Sequence, residues 1–206
     1  MHDDPEQTSA KRGRPRSLTE DQVIDAAVQL AKSVRLENVT MRALAQSLDG
    51  QPIDLLINNA ALGMNVSSLS SVKIDELERL MRTNVLGPMQ LTQALLKNLR
   101  AGKGKMIVGL SSGLGSITSN NDGGYYGYRE SKAAIGMFMR NLAAELKGDG
   151  FICIAIDPGW VKTDMGGPNA QLTVDPSIGG MRKVFDSLKP SDTGKFYRHD
   201  GATLPW

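Results

Sequence analysis

Cysteine is nearly absent: Cys153 is the only one in 206 residues and lies in the apolar run 151–156. An internal disulfide or a cysteine-built metal centre is therefore excluded, and no metal site is expected. Long apolar runs are missing too, none approaching the ~20 residues that cross a bilayer, and the opening MHDDPEQ is acidic and polar. Charge of one sign is scarce. The formal net charge of +2 is too small to argue by itself for nucleic acid or a membrane surface. These absences lead us to expect a cytoplasmic chain with no membrane partner. What is present, 40% hydrophobic and 22% charged residues, is the composition of an ordinary globular protein. The length suffices for one sizeable domain with a small appendage.

Residues 1–16 show no apolar periodicity and end in the basic run Lys11, Arg12, Gly13, Arg14, Pro15, Arg16, the pattern of a disordered, solvated tail. A helix is then expected. Thr19 can cap it with Gln22 as reciprocal partner, Leu18 can staple Val23, and Val23, Ile24, Ala27, Leu30 and Ala31 share a face. Thr40 repeats the device for a second helix, with Val39 and Leu44 as staple, Met41, Leu44 and Leu48 on one face, and Gly50 as its stop. Residues 12–50 resemble the opening of tetracycline-repressor-type DNA-binding domains, in which two such helices precede a recognition helix. After Gly50, however, the chain supplies Pro52 and a β-branched strand, so the element that would enter a major groove is missing. The RGRP run also has the look of a minor-groove hook, although the plainer reading of a charge run is a solvated tail. Nucleic acid is not an expected partner.

From Ile53 onward the pattern alternates. Ile53 to Ile57, Lys105 to Leu110 and Phe151 to Ile156 are apolar runs of strand length. Between them Ile74, Leu77, Leu80, Met81 and Val85 recur at helical spacing, and Lys132 to Leu146 is amphipathic. Such alternation predicts an α/β fold with a parallel sheet and helices on its faces.

The chemistry centres on YRESK, which sets Tyr128 and Lys132 one turn apart at the start of a helix. A free tyrosine, with a pKa of about 10, exchanges protons poorly at neutral pH. A fixed positive charge favours the phenolate, so Lys132 is expected to lower the phenol's pKa and make Tyr128 a general acid/base. Alone, the pair occurs by chance on many helices. It has company: LSSGLGS places Ser112 after a strand, INNAA follows another strand, TNVLG puts Asn84 in a long helix, and IDPGWVKTDM follows the third strand. Singly each has a bland reading, Asn58 tying strands together, Asn84 bonding within its helix, and Pro158-Gly159 making an ordinary turn.

In order and spacing these motifs closely resemble the short-chain dehydrogenase/reductase superfamily over about residues 52–206. Within it, DPGWVKTDMGGPNAQLTV through DGATLPW resembles the carbonyl-reductase-like branch that includes bacterial C-factor proteins. The resemblance implies that Ser112 orients the substrate carbonyl, that Tyr128 passes it a proton, and that Lys132 holds the nicotinamide ribose while tuning Tyr128. It implies that Asn84 anchors a water linking Lys132 to solvent, that Asn58 and Ala60 lie beside the cofactor, and that Pro158, Gly159, Val161 and Thr163 edge the nicotinamide and its carboxamide. Ser111 competes with Ser112, the second serine of the family's pair being the usual catalytic one. Tyr125 and Tyr126 have no lysine four residues on. Ala61 replaces the family's usual glycine, and Gly109 stands where many relatives have asparagine, an expected loosening of that strand end.

One further absence stands out. A dinucleotide-binding sheet opens with a glycine-rich turn whose following helix receives the pyrophosphate, and a later residue reads the adenosine ribose. No such region precedes Ile53. Gly109, Gly113 and Gly115 match the spacing, but SITSNNDGG after them has no helical periodicity, which makes the match a decoy. Loss of the first three strands from the family's order would leave the strand around Ile53 to Ile57 as an exposed apolar edge. The expected fold is therefore α/β: a truncated Rossmann-like parallel sheet of C-terminal strands with a two-helix N-terminal appendage. Its segments are 1–16, 17–50 and 51–206, joined at a seam between two families. The implied function is NAD(P)-dependent hydride transfer involving a small-molecule carbonyl or alcohol, with NAD or NADP as cofactor because the discriminating residue is missing. The resemblance also implies a homodimer through the helices around Asn84 and Lys132. Two other readings are a non-catalytic fusion or remnant protein and a DNA-binding regulator.

Overall fold

The computed structural model describes residues 43, 46–48 and 50–206. The expected basic tail, the helix capped by Thr19 and the cap at Thr40 lie outside the described residues. From Leu55 onward the chain alternates as its pattern dictates. Strand β1 (Leu55–Asn58) leads to helix α1 (Ile74–Met81), a π-helical turn (Arg82–Leu86) and helix α2 (Gly87–Ala101). Strand β2 (Met106–Leu110), helix α3 (Tyr128–Glu145), strand β3 (Ile152–Asp157), helix α4 (Val174–Ser187) and strand β4 (Phe196–Arg198) complete it. The described sheet has four strands in the order β1-β2-β3-β4, all paired in parallel. Strand β4 and helix α4 extend the three strands expected from the sequence. Among the described residues no helix is long and apolar enough to cross a membrane.

Both faces of β2 and β3 are covered, which is why these strands read as near-continuous apolar runs. On one face Ile107, Cys153 and Ala155 pack with Leu95 and Leu99 of α2 and with Met139, Leu142 and Ala143 of α3. On the other, Val108, Ile152, Ile154 and Ile156 pack with Val184 of α4. Among the described residues strand β1 is an end strand of the sheet, with Leu56 buried and Leu55 and Ile57 39% and 40% exposed.

Gly109 behaves differently from expectation. A Cβ there would lie 2.8 Å from Ile135 and 3.0 Å from Met139, both on α3. The missing side chain lets that helix close onto β2, while Gly109 keeps its register with Asn58 and Ala155. It tightens the strand end instead of loosening it.

The segment entering β1 is built into the core. Gly50 adopts φ +74°, a left-handed conformation suited to ending a helical turn. Asn98 of α2 donates its side-chain amide to the carbonyls of Leu48 (2.6 Å) and Gln51 (2.9 Å), and its backbone carbonyl accepts the Ile53 N–H at 3.0 Å. Leu48 is 2% exposed and belongs to the same apolar cluster as Leu56, Leu95 and Phe151. Truncating a core leucine costs about 2–5 kcal/mol. Equilibrium urea unfolding of Leu48→Ala is therefore expected to show a loss in that range, against less than about 1 kcal/mol for the edge control Leu55→Ala.

Candidate active site

Helix α3 carries two of the chemically important side chains, and its start is fixed locally. Gly127 sits at φ +82°, and its N–H donates to the Glu130 carboxylate at 2.6 Å, which satisfies one of the amides a helix start leaves unpaired. That positive φ is a conformation L side chains rarely adopt, which suits glycine at the start of the helix. Tyr128 follows at the first position, half-buried, with Lys132 one turn on.

Lys132 is 4% exposed, and its ammonium donates to the Leu110 carbonyl at the end of β2, 2.8 Å away. It also stands 5.6 Å from the centroid of the Tyr128 ring. The loop after β2 locks the helix at this depth. Ser111 donates its hydroxyl to the Lys132 backbone carbonyl (3.0 Å), and a Cβ on Gly115 would lie 2.8 Å from Lys132 backbone and side-chain atoms. The two serines thus separate by geometry. Ser111 is buried and ties loop to helix. Ser112 is partly exposed, accepts the Leu114 N–H at 3.2 Å, and its hydroxyl acts to lower the pKa of the Tyr128 phenol.

The decoy glycines of GLSSGLG therefore serve packing. Gly113–Gly115 is a short 3-10 turn, and no helix starts after it until Tyr128.

Electrostatics depart from the expectation drawn from the Tyr128–Lys132 spacing. Burial, the largest influence, raises the phenol above its ordinary value, the Ser112 hydroxyl lowers it, and the negative charge of Asp157 raises it. Burial also pushes the Lys132 ammonium down to about 8, partly countered by Asp157. The phenol therefore does not fall below its ordinary range: burial is the largest influence on it, and the Lys132 ammonium is turned to the Leu110 carbonyl. Asp157, at the end of β3, was not singled out from the sequence. The signal available was a carboxylate immediately after a buried strand and before Pro-Gly.

The other predicted positions divide into groups. Asn84 lies buried in the π-helical turn, a local distortion often found at functional sites. Its amide bonds the Leu62 N–H (2.7 Å), the Leu62 carbonyl (2.9 Å) and the Ser131 hydroxyl (3.0 Å). It thus clamps the loop after β1 to α3 beside Lys132. Asn58, at the end of β1, donates to Thr92 of α2 at 3.3 Å, and among the described residues its buried Oδ1 has no partner. Ala60 is exposed on the loop that follows. Pro158 accepts a hydrogen bond from Ser177 of α4 at 2.7 Å, and Gly159, at φ +79°, donates its N–H to Asp157. Val161 bridges to Leu172, while Thr163 lies in an exposed turn, accepting the Gly166 N–H at 3.1 Å. Ser112, Tyr128, Lys132, Asp157 and Gly159 are linked around the carboxyl ends of β2 and β3. Val161 and Thr163 sit further along the same loop. A cleft of about 620 Å³ lies elsewhere, between α4 and residues 199–201, and is lined by none of the predicted residues.

A family model described as short chain dehydrogenase matches residues 5–172, a span that includes residues 12–50. The C-signal protein of Myxococcus xanthus is 40% identical over 166 residues, covering 81% of this chain and 100% of that one. A solved structure of NADPH-bound carbonyl reductase from chicken fatty liver superposes with a TM-score of 0.74 at 33% identity, over 81% of this chain and 72% of that one. Carbonyl reductase Sniffer of D. melanogaster gives a TM-score of 0.77 at 31% identity, over 91% and 85% of the two chains. With a matching family model over most of its length, and a parallel sheet whose strand ends gather serine, tyrosine and lysine, the chain belongs to the short-chain dehydrogenase/reductase family of oxidoreductases.

Proposed function

We propose that this chain is an NAD(P)-dependent carbonyl reductase acting on a small-molecule carbonyl, or on the alcohol in the reverse direction, in the cytoplasm. The observation that carries this reading is the grouping of the Ser112 hydroxyl, the Tyr128 phenol and the buried Lys132 ammonium at the carboxyl ends of β2 and β3, the edge at which open α/β sheets take ligands. The donor set fits a nicotinamide riboside. A phenol and an ammonium on one helix face suit a ribose diol, and Asn58 has a buried oxygen free to accept. Asn58, Ala60, Tyr128, Lys132, Pro158, Gly159, Val161 and Thr163 would hold the cofactor, and the chicken carbonyl reductase similar to this chain is NADPH-bound. When bound, the nicotinamide supplies or accepts the hydride.

The chain's own groups manage the proton. Ser112 orients the carbonyl oxygen toward the phenol. Tyr128 holds a proton on its oxygen at neutral pH, because burial and Asp157 both favour the neutral phenol, and it transfers that proton to the oxygen as the carbonyl is reduced. Lys132, still mostly protonated at pH 7, provides a positive charge that favours the phenolate left behind. Asn84 keeps the loop after β1 in place against α3. In the same proposal, 1–16, 17–50 and 51–206 form the three segments of the chain, and two copies pair through α2 and α3, on which Met89 and Met137 are exposed.

One observation favours a second reading, a protein that keeps the fold without turnover. Strand β1 is an edge of the described sheet, and among the described residues no glycine-rich turn stands ready for a pyrophosphate. Titration of NADPH fluorescence separates the two. Under the reductase reading, wild type and Tyr128→Phe both enhance and blue-shift the emission. Reduction of a panel of aldehydes and ketones then falls at least about 10²-fold in Tyr128→Phe. An unchanged emission at millimolar NADPH would remove the reductase reading.

A further inference from the structure

Asp157 is the last residue of β3, in register with Arg198 of β4, and its backbone carbonyl accepts the His199 N–H at 2.8 Å. Its carboxylate lies between two loops of the site. One oxygen accepts the Gly159 N–H at 3.0 Å, and the other is 3.4 Å from where a Cβ on Gly113 would stand, next to Ser112. Several charged or titratable groups surround it. Tyr128 and Lys132, both on α3, feel its charge. Arg198 feels its charge from β4, although that guanidinium is held at 3.0 Å by Asp200. The His199 ring packs on Gly159, beyond the turn.

We infer that Asp157 is a positioning residue of this site: its carboxylate, set between the Gly159 N–H and the loop at Gly113, fixes the Pro158–Gly159 turn and brings a negative charge to the site of Tyr128 and Lys132. The inference rests on the reductase reading of the same residues and adds a direction to it. A neutral phenol is the form that protonates a newly reduced oxygen, whereas oxidation of an alcohol requires the phenolate to take a proton. The equilibrium between substrates is untouched, since a catalyst cannot move it. What changes is the pH at which each direction runs. Asp157 raises the phenol and opposes the fall of the Lys132 ammonium, so removal of its charge moves both midpoints down.

The test uses the full chain, without added nucleotide, as wild type, Asp157→Asn and Asp157→Ala. Carbon-13 NMR follows the Tyr128 ring carbon bearing the hydroxyl, assigned by its loss in Tyr128→Phe, and the Lys132 carbon next to its ammonium. The asparagine amide oxygen can still accept the Gly159 N–H, so Asp157→Asn should keep the turn. Its Tyr128 and Lys132 midpoints are expected below those of wild type, with the alkaline onset of alcohol oxidation moving the same way. Hydrogen exchange at the Gly159 amide should be unchanged in Asp157→Asn and faster in Asp157→Ala. Midpoints that stay put or rise in Asp157→Asn would overturn the electrostatic half, and a Gly159 amide equally protected in Asp157→Ala would overturn the positional half. Absence of any carbonyl turnover would sink the reductase reading while leaving the midpoints and the exchange rates to decide on Asp157.

Discussion

The buried ammonium of Lys132 is the constraint around which this site is arranged. A lysine at 4% exposure must find an acceptor, and here it is the carbonyl of Leu110 at the end of β2. That contact fixes how deep α3 sits on the sheet. Gly109 accommodates Ile135 and Met139, Gly115 leaves room for the backbone at Lys132, and Ser111 bonds its carbonyl. Each contact is a packing matter by itself. Together they bring the phenol one turn earlier to the Ser112 hydroxyl.

The electrostatic outcome is a balance of opposed effects. Burial disfavours charge on both members of the pair, raising the phenol and lowering the ammonium. Asp157 acts upward on both, and Ser112 pulls the phenol the other way. In this arrangement the proton rests on Tyr128 at neutral pH, which fits a site that donates to a reduced carbonyl oxygen. Lys132 favours the phenolate only as it forms, so its influence is greatest when the proton has left.

Much of this was legible in the residues. Three apolar runs announced β1, β2 and β3; in β2 and β3 they reflect coverage of both faces, which removes the alternation of half-exposed strands. Tyr128 and Lys132 were readable because helical spacing is fixed, and the order of the surrounding motifs identified the family. Strand β4 was harder to see: Phe196–Arg198 is three residues long, and its burial depends on its neighbour β3 and on Trp206 stacked on Phe196 at 5.3 Å. Helix α4 was masked by Pro176, Gly179 and Gly180, poor helix formers that hide the spacing of Met181, Val184 and Phe185. Asp157 and the sign of the phenol's shift were not readable, since neither desolvation nor a through-space charge has a periodicity. The difference between Ser111 and Ser112 likewise needed coordinates, because adjacent residues at a strand end can point to opposite sides.

The central claim is that the fold carries a desolvated ammonium at Lys132 for the sake of its site, and the pH dependence of stability tests it most directly. Below about pH 8 the lysine holds its proton folded or unfolded; between about 8 and 10.5 the unfolded chain keeps a proton that the native chain has shed. Stability must therefore rise with pH across that window. Unfolding free energies of wild type and Lys132→Met, measured in urea at intervals from pH 7 to about pH 10.5, isolate this residue from the other titrating groups. The account predicts that wild type gains on Lys132→Met across the window. Parallel curves would contradict it, because they would mean an ammonium titrating in the native protein as it does in water.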